Sequence, residues 1–283
     1  MKITEIGKIK GGQDGAIYGN YLFRFDERGV GAVYDIASLS EENTPVGTVT
    51  LDPTGRLVPH ANSVMFGAER AESDDEFPAL YVNVYNNYAD KEEPLKGVTC
   101  VYRITREGSA FTASLIQIIE IGFTEDPALW KAGEKDGPRP YGNCAVDVKN
   151  GRYYAFVMRN EALGTRYFAF DLPALADGVW DEKYGASRVV LTPSDIRSQF
   201  DCPFHYYVQG ATLRDGKIYS LEGFGHDPRM APAIRVIDLE AGREESYIRF
   251  ADFGLTQEPE FIDFAGEVCY YGDNPGHLYI LEF

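Results

Sequence analysis

The sequence predicts an all-β fold, a closed β-propeller of five blades, from three observations. Aromatic residues make up 13% of the 283-residue chain and glycines number 29, a mix suited to short strands joined by tight turns. A four-strand unit recurs along the whole chain. The last unit runs out after three strands, and a strand-like segment at the other terminus is free to supply the fourth. Repeats of about 40 residues or more with four strands each are the sequence mark of a propeller.

The unit is plainest between Gln209 and Phe250. Gln209 to Arg214 reads as a first strand, Asp215-Gly216 as a hairpin turn and Lys217 to Leu221 as a second strand. A Gly-rich loop leads to a third strand, Ile234 to Leu239, and Glu240 to Arg243 turns the chain into a fourth, Glu244 to Phe250. Gln13 to Phe25 aligns with Gln209 to Leu221 without a gap, followed by Ala32 to Ile36 and Val46 to Leu51. The second unit runs through Asn62 to Phe66, Leu80 to Val84, Cys100 to Ile104 and Leu115 to Ile121. The third runs through Asn143 to Val146, Tyr153 to Val157, Phe168 to Leu172 and Arg188 to Leu191. The fifth supplies Phe261 to Phe264, Val268 to Tyr271 and Tyr279 to Phe283, and Ile3 to Ile9 completes it, which removes two open sheet edges. The third strand is the fingerprint: Val-Tyr-Asp-Ile, Val-Tyr-Arg-Ile, Ala-Phe-Asp-Leu, Val-Ile-Asp-Leu and Ile-Leu-Glu-Phe. The expected domain is single, with blades at about 13–58, 59–140, 141–205, 206–257 and 258–283 plus 1–12.

Composition narrows the function. A net charge of −17 repels phosphate backbones and anionic lipid, so neither nucleic acid nor a membrane is an expected partner. No signal peptide or long apolar run is visible, which points to a cytoplasmic location. Cys100, Cys144, Cys202 and Cys269 form no CxxC pair and read as buried free thiols. There is no GxSxG elbow, phosphate-binding P-loop or dinucleotide fingerprint.

In a propeller the segments leading into each first strand share one face with the loops joining second to third strands. Gln13, Asn62, Asn143, Gln209 and one of Glu258 and Glu260 fall just ahead of first strands, so a polar group recurs at one rim. The same rim carries His60, Trp130, Arg139, Tyr141, His205, Tyr206 and Tyr207, and, from the second-to-third loops, Tyr85, Asn86, Glu222, His226 and Asp273. The opposite face has tight turns and two long insertions, Ala68 to Phe77 and Pro173 to Ser187, read as charged or helical decoration. The expected site lies over the channel on the loop-rich rim. Its catalytic candidates are His205, Glu222 and Glu260, groups suited to acid and base work. Its ligand-binding candidates are Gln13, His60, Asn62, Tyr85, Asn86, Arg139, Tyr141, Asn143, Tyr207, Gln209, His226 and Glu258. No HxH or HExxH spacing marks a metal site, and a cation in the channel stays open. A small molecule or sugar is the expected ligand, with hydrolase or transferase chemistry; a non-catalytic scaffold for a protein or polymer is the alternative.

Gln209 to Tyr219, then Gly223-Phe224-Gly225, then Val236 to Gly242 resemble a blade of the plant-type glutaminyl cyclases. An acidic residue usually follows the tyrosine directly in that family; here Ser220 does, and Glu222 comes two residues later. The resemblance implies five blades and, as a further alternative, a transferase that forms pyroglutamate.

Overall fold

A two-residue hairpin such as Asp215-Gly216 needs positive φ at both positions, and these residues adopt 49° and 74°, which turns Arg214 directly onto Lys217. Turns of this kind join antiparallel strands throughout the chain. The computed structural model describes residues 1–51, 54–87, 89–90, 95–130, 142–224 and 228–283, and, of Tyr85 and Asn86, the backbone alone.

Strand β1 (Lys2–Lys8) stands ahead of the repeats. The first meander is β2 (Gly15–Tyr18), β3 (Tyr21–Phe25), β4 (Val30–Asp35) and β5 (Gly47–Thr50). The second is β6 (Pro59–Phe66), β7 (Leu80–Asn87), β8 (Val98–Glu107) and β9 (Ala110–Ile121). The third begins with β10 (Gly142–Asp147), β11 (Arg152–Asn160) and β12 (Gly164–Asp171). A hairpin of β13 (Val179–Asp181) and β14 (Ala186–Leu191) intervenes before β15 (Ser198–Cys202), which pairs with β12. The fourth is β16 (Val208–Arg214), β17 (Lys217–Glu222), β18 (Ala233–Asp238) and β19 (Arg243–Arg249). The fifth sheet is β20 (Pro259–Ala265), β21 (Val268–Asp273) and β22 (His277–Glu282), with β1 as its outer strand. Ile3 faces Leu281 and Lys2 faces Glu282 across the β1–β22 ladder, and a bulge between Glu5 and Gly7 bends the chain toward Ser40. The fold is all-β and of the propeller type.

The core is divided among the sheets. One apolar cluster lies between the first and second meanders, built around Phe23, Phe77 and Phe111. Others fill the gaps between second and third, third and fourth, and fourth and fifth. A fifth joins Phe261 and Leu278 to Ile17, Leu22 and Tyr34, packing the last sheet on the first. Each sheet is thus covered on both faces, so adjacent residues of a central strand both need to be apolar. Val33 enters the cluster shared with the second meander while its neighbour Tyr34 enters the one shared with the last sheet. That is the physical origin of the paired apolar residues in the third-strand fingerprint. In four of the five units the charged residue after them ends the strand, as Asp238 does by accepting the N–H groups of Glu240 and Ala241 at 2.9 Å each, whereas Arg103 lies inside β8 and pairs with Asp75.

Two expectations need correcting. The segment Arg188 to Leu191 is not the fourth strand of the third meander. It belongs to β14, which adds in parallel to β9 with Val189 against Ile119 and Leu191 against Ile121, and β15 takes the fourth place. The insertion Pro173 to Ser187 is not helical; it holds turns and β13. The reason is the open side of β9, whose apolar run accepts a second apolar strand, whereas β15, reading Ser-Gln-Phe-Asp-Cys, suits an exposed sheet edge. All four cysteines are buried free thiols. No described helix is long and apolar enough to cross a membrane.

Candidate functional site

The five first strands converge. β2 packs against β6 and β20, β10 against β6 and β16, and β16 against β20 as well as β6. The polar residues at their leading ends therefore meet one another. Asn143 Nδ2 donates to Asn62 Oδ1 at 3.2 Å, and Asn62 Nδ2 donates to Gln209 Oε1 at 3.5 Å. Gln209 Nε2 donates to Glu258 Oε1 and, at 3.2 Å, to the Gly223 carbonyl. Each amide hands its N–H to the next carbonyl, and the chain ends on a carboxyl group. On the other side, His60 Nε2 lies 2.6 Å from Gln13 Oε1. Asn62 and Asn143 are buried, while Glu258 and His60 are half-buried.

Burial pushes the Glu258 carboxyl up to about 7. Two residues further along β20, Glu260 is fully buried; burial, then the charge of Glu258, drives it well above the usual carboxylate range. Asn274 Nδ2 donates to Glu260 Oε1 at 3.0 Å, and Oε2 has no hydrogen-bond partner among the described residues.

Sequence reading missed two charged groups beneath this mouth, Asp14 and Arg24. Asp14 follows Gln13 at the position that Gly210 holds in the fourth meander, and a Cβ on Gly210 would lie 3.2 Å from its carboxyl carbon. Asp14 Oδ2 accepts the Val64 N–H at 2.9 Å and the Ala211 N–H at 3.4 Å, tying β2 to β6 and β16. Burial raises its pKa well above the normal range, against the pull of the Gly15 and Val64 N–H groups and of Arg24. Arg24 is fully buried on β3, stands over the Phe261 ring and donates from Nη2 to the Asp273 carbonyl at 3.0 Å. Burial lowers its pKa, opposed by Glu260, Asp14 and Asp273. The signal was present: an arginine inside Tyr-Leu-Phe-Arg-Phe breaks an apolar strand, and Asp14 breaks the Gln-Gly match.

The other candidates lie elsewhere. Glu222 is 2% exposed and bonds Arg235 Nε at 2.9 Å; Glu244 binds the same guanidinium. Burial pulls Arg235 down, but the two carboxylates outweigh it and the net shift is upward. His205 is fully buried, 3.4 Å from the Tyr167 hydroxyl through Nδ1, and burial followed by the Arg235 charge holds its pKa well below the usual value. Asp273 holds His277 through its ring and backbone nitrogens at 2.8 and 2.7 Å. Trp130 is buried and stacked on Phe168, Tyr206 donates to Glu161 at 2.6 Å, and Tyr207 stacks on Phe224. Arg139, Tyr141 and His226 lie outside the described residues, as do the side chains of Tyr85 and Asn86. No described group of three His, Cys, Asp or Glu side chains is arranged to hold a metal ion.

No family model matches the chain, and no curated protein does. Among solved structures, the crystal structure of a glutaminyl cyclase from Myxococcus xanthus is 10% identical, with all of this chain and 94% of that one aligned at a TM-score of 0.49. BamB from Moraxella catarrhalis is 9% identical, with 95% of this chain and 71% of that one aligned at a TM-score of 0.35.

Proposed function

We propose that the chain is one ring of five blades and that the channel mouth binds a small polar molecule, with Glu258 exchanging a proton with it. The packing of the fifth sheet on the first supports the ring. The observation that carries the function is the run of amides from Asn143 through Asn62 and Gln209 to a half-buried carboxyl group, which burial pushes up to about 7. Gln209 occupies Oε1 as an acceptor, so the Glu258 proton is carried by Oε2. An acid whose pKa matches the working pH is the form that general acid and base chemistry uses. The amides supply fixed donors and acceptors for orienting a ligand. The described rings, Trp130, Tyr206 and Tyr207, are engaged with other side chains, which gives no reason to favour a sugar over another small polar molecule.

Thermal-shift screening with a library of small polar metabolites tests this reading. A ligand that raises the melting temperature should lose at least about tenfold in affinity on Gln209→Ala and on Glu258→Gln. The exposed Glu267→Gln serves as the control. Affinity unchanged in both mouth variants would refute the placement. The second reading is a transferase that forms pyroglutamate, favoured by the likeness of residues 209–242 to a cyclase blade and by a proton exchanger at the mouth. Release of ammonia from a peptide with N-terminal Gln, lost in Glu258→Gln, is its expected outcome.

A further inference from the structure

The hairpin of β13 and β14 breaks the repeat. β14 leaves its own meander to lie along β9, and β13 lies outside β14, its one pairing partner among the described residues. Among the described residues the outer backbone of β13 is therefore an open sheet edge, a feature that proteins usually shield with charge or cover. Here it carries exposed apolar side chains instead. Val179 is 77% exposed, Trp180 58% and Val190, across the hairpin, 49%. They border an open cavity of about 670 Å³ whose wall also includes Asp181, Lys183 and Arg188.

Charge selects the occupant. Most of a chain with a net charge of −17 repels a copy of itself. The cavity wall is different: Asp181 and Glu182 balance Lys183 and Arg188. A basic partner would be drawn to the acidic faces rather than to this neutral one. A two-fold contact between identical surfaces needs a patch complementary to itself. Antiparallel pairing of two β13 strands about Trp180 provides it, setting that ring opposite its own copy with an exposed Val179 on either side. We propose that two copies of this chain associate through β13, edge to edge, with Trp180 at the centre of the contact.

Analytical ultracentrifugation over a concentration series tests this. The unaltered chain should show a monomer–dimer equilibrium. Val179→Lys and Trp180→Glu should each raise its dissociation constant at least about tenfold, since both enter the centre of the contact. Phe224→Ala, at an exposed ring away from the hairpin, should leave it unchanged. A chain that stays monomeric at every concentration overturns the proposal, as does a dimer indifferent to both hairpin variants. Should the hairpin variants fail to fold, hydrogen exchange on the unaltered chain decides. Protection of the Val179–Asp181 amides that grows with concentration supports the contact, and protection independent of concentration overturns it.

Discussion

At the scale of single residues, the polar cluster of the first strands is governed by burial rather than by ion pairing. Glu258 owes its position near 7 to loss of water. The folded protein therefore keeps a proton that the unfolded chain, with its ordinary value of 4.5, gives up earlier. The unfolded state binds fewer protons between these values, so the contribution of Glu258 to stability falls as pH rises from 4.5 to about 7 and stays lost above. Glu258→Gln removes that loss. Urea unfolding at pH 5 and pH 8 should show the stability gap between them reduced by on the order of 1 kcal/mol, after allowance for solvent screening of a half-buried group. Gly210 makes the complementary point about space. A Cβ there would lie 2.7 Å from the Glu260 carbonyl oxygen and crowd the Asp14 carboxyl. Gly210→Ala should cost about 1–3 kcal/mol by overpacking, read from the urea midpoint. Any ligand of the mouth should bind more weakly as well.

At the scale of elements, pairing between strands explains why the carboxylate of Glu222 is taken up by an ion pair. Glu222 ends β17 and Arg235 lies on β18, and the two meet as a buried ion pair backed by Glu244 on β19. A carboxylate in a strand read as a rim group is here a brace across one sheet. Arg235→Met leaves Glu222 buried without its cation and should destabilise the protein by about 3–5 kcal/mol. Adding Glu222→Gln should recover a large part of that, which a double-mutant cycle in urea measures. The β14 segment teaches the same lesson: Ser-Arg-Val-Val-Leu has the composition of a fourth strand, and pairing with β9 of another sheet takes it. Local pattern states that a segment is a strand; it does not state which neighbour has a free edge.

At the scale of the whole molecule, the joint between the chain's ends organises everything else. β1 closes the edge of β22, and Ile9 joins Phe261, Leu278 and Tyr34 in the cluster between the last sheet and the first. Removing residues 1–8 uncovers the β22 edge. The truncated chain should melt at a lower temperature, and the amides of Leu278 to Leu281 should exchange faster, as followed by hydrogen-exchange mass spectrometry. An unchanged melting temperature would mean that β1 adds nothing to the fold.

Taken alone, the sequence determined the strand repeat, the pairing of β1 with β22 and the recurrence of a polar residue in or just before each first strand. These follow from periodicity and from the cost of leaving the β22 edge unpaired, and both are written in residue order. Only the tertiary structure decided which carboxyl groups lose their water and which find a cation. Asp14 and Arg24 look like isolated polar residues in strands, and Glu222 looks like a rim acid. Their roles depend on what five separate segments bring within a few ångströms. Electrostatics is set by distance through space and by burial, and neither is a property of spacing along the chain.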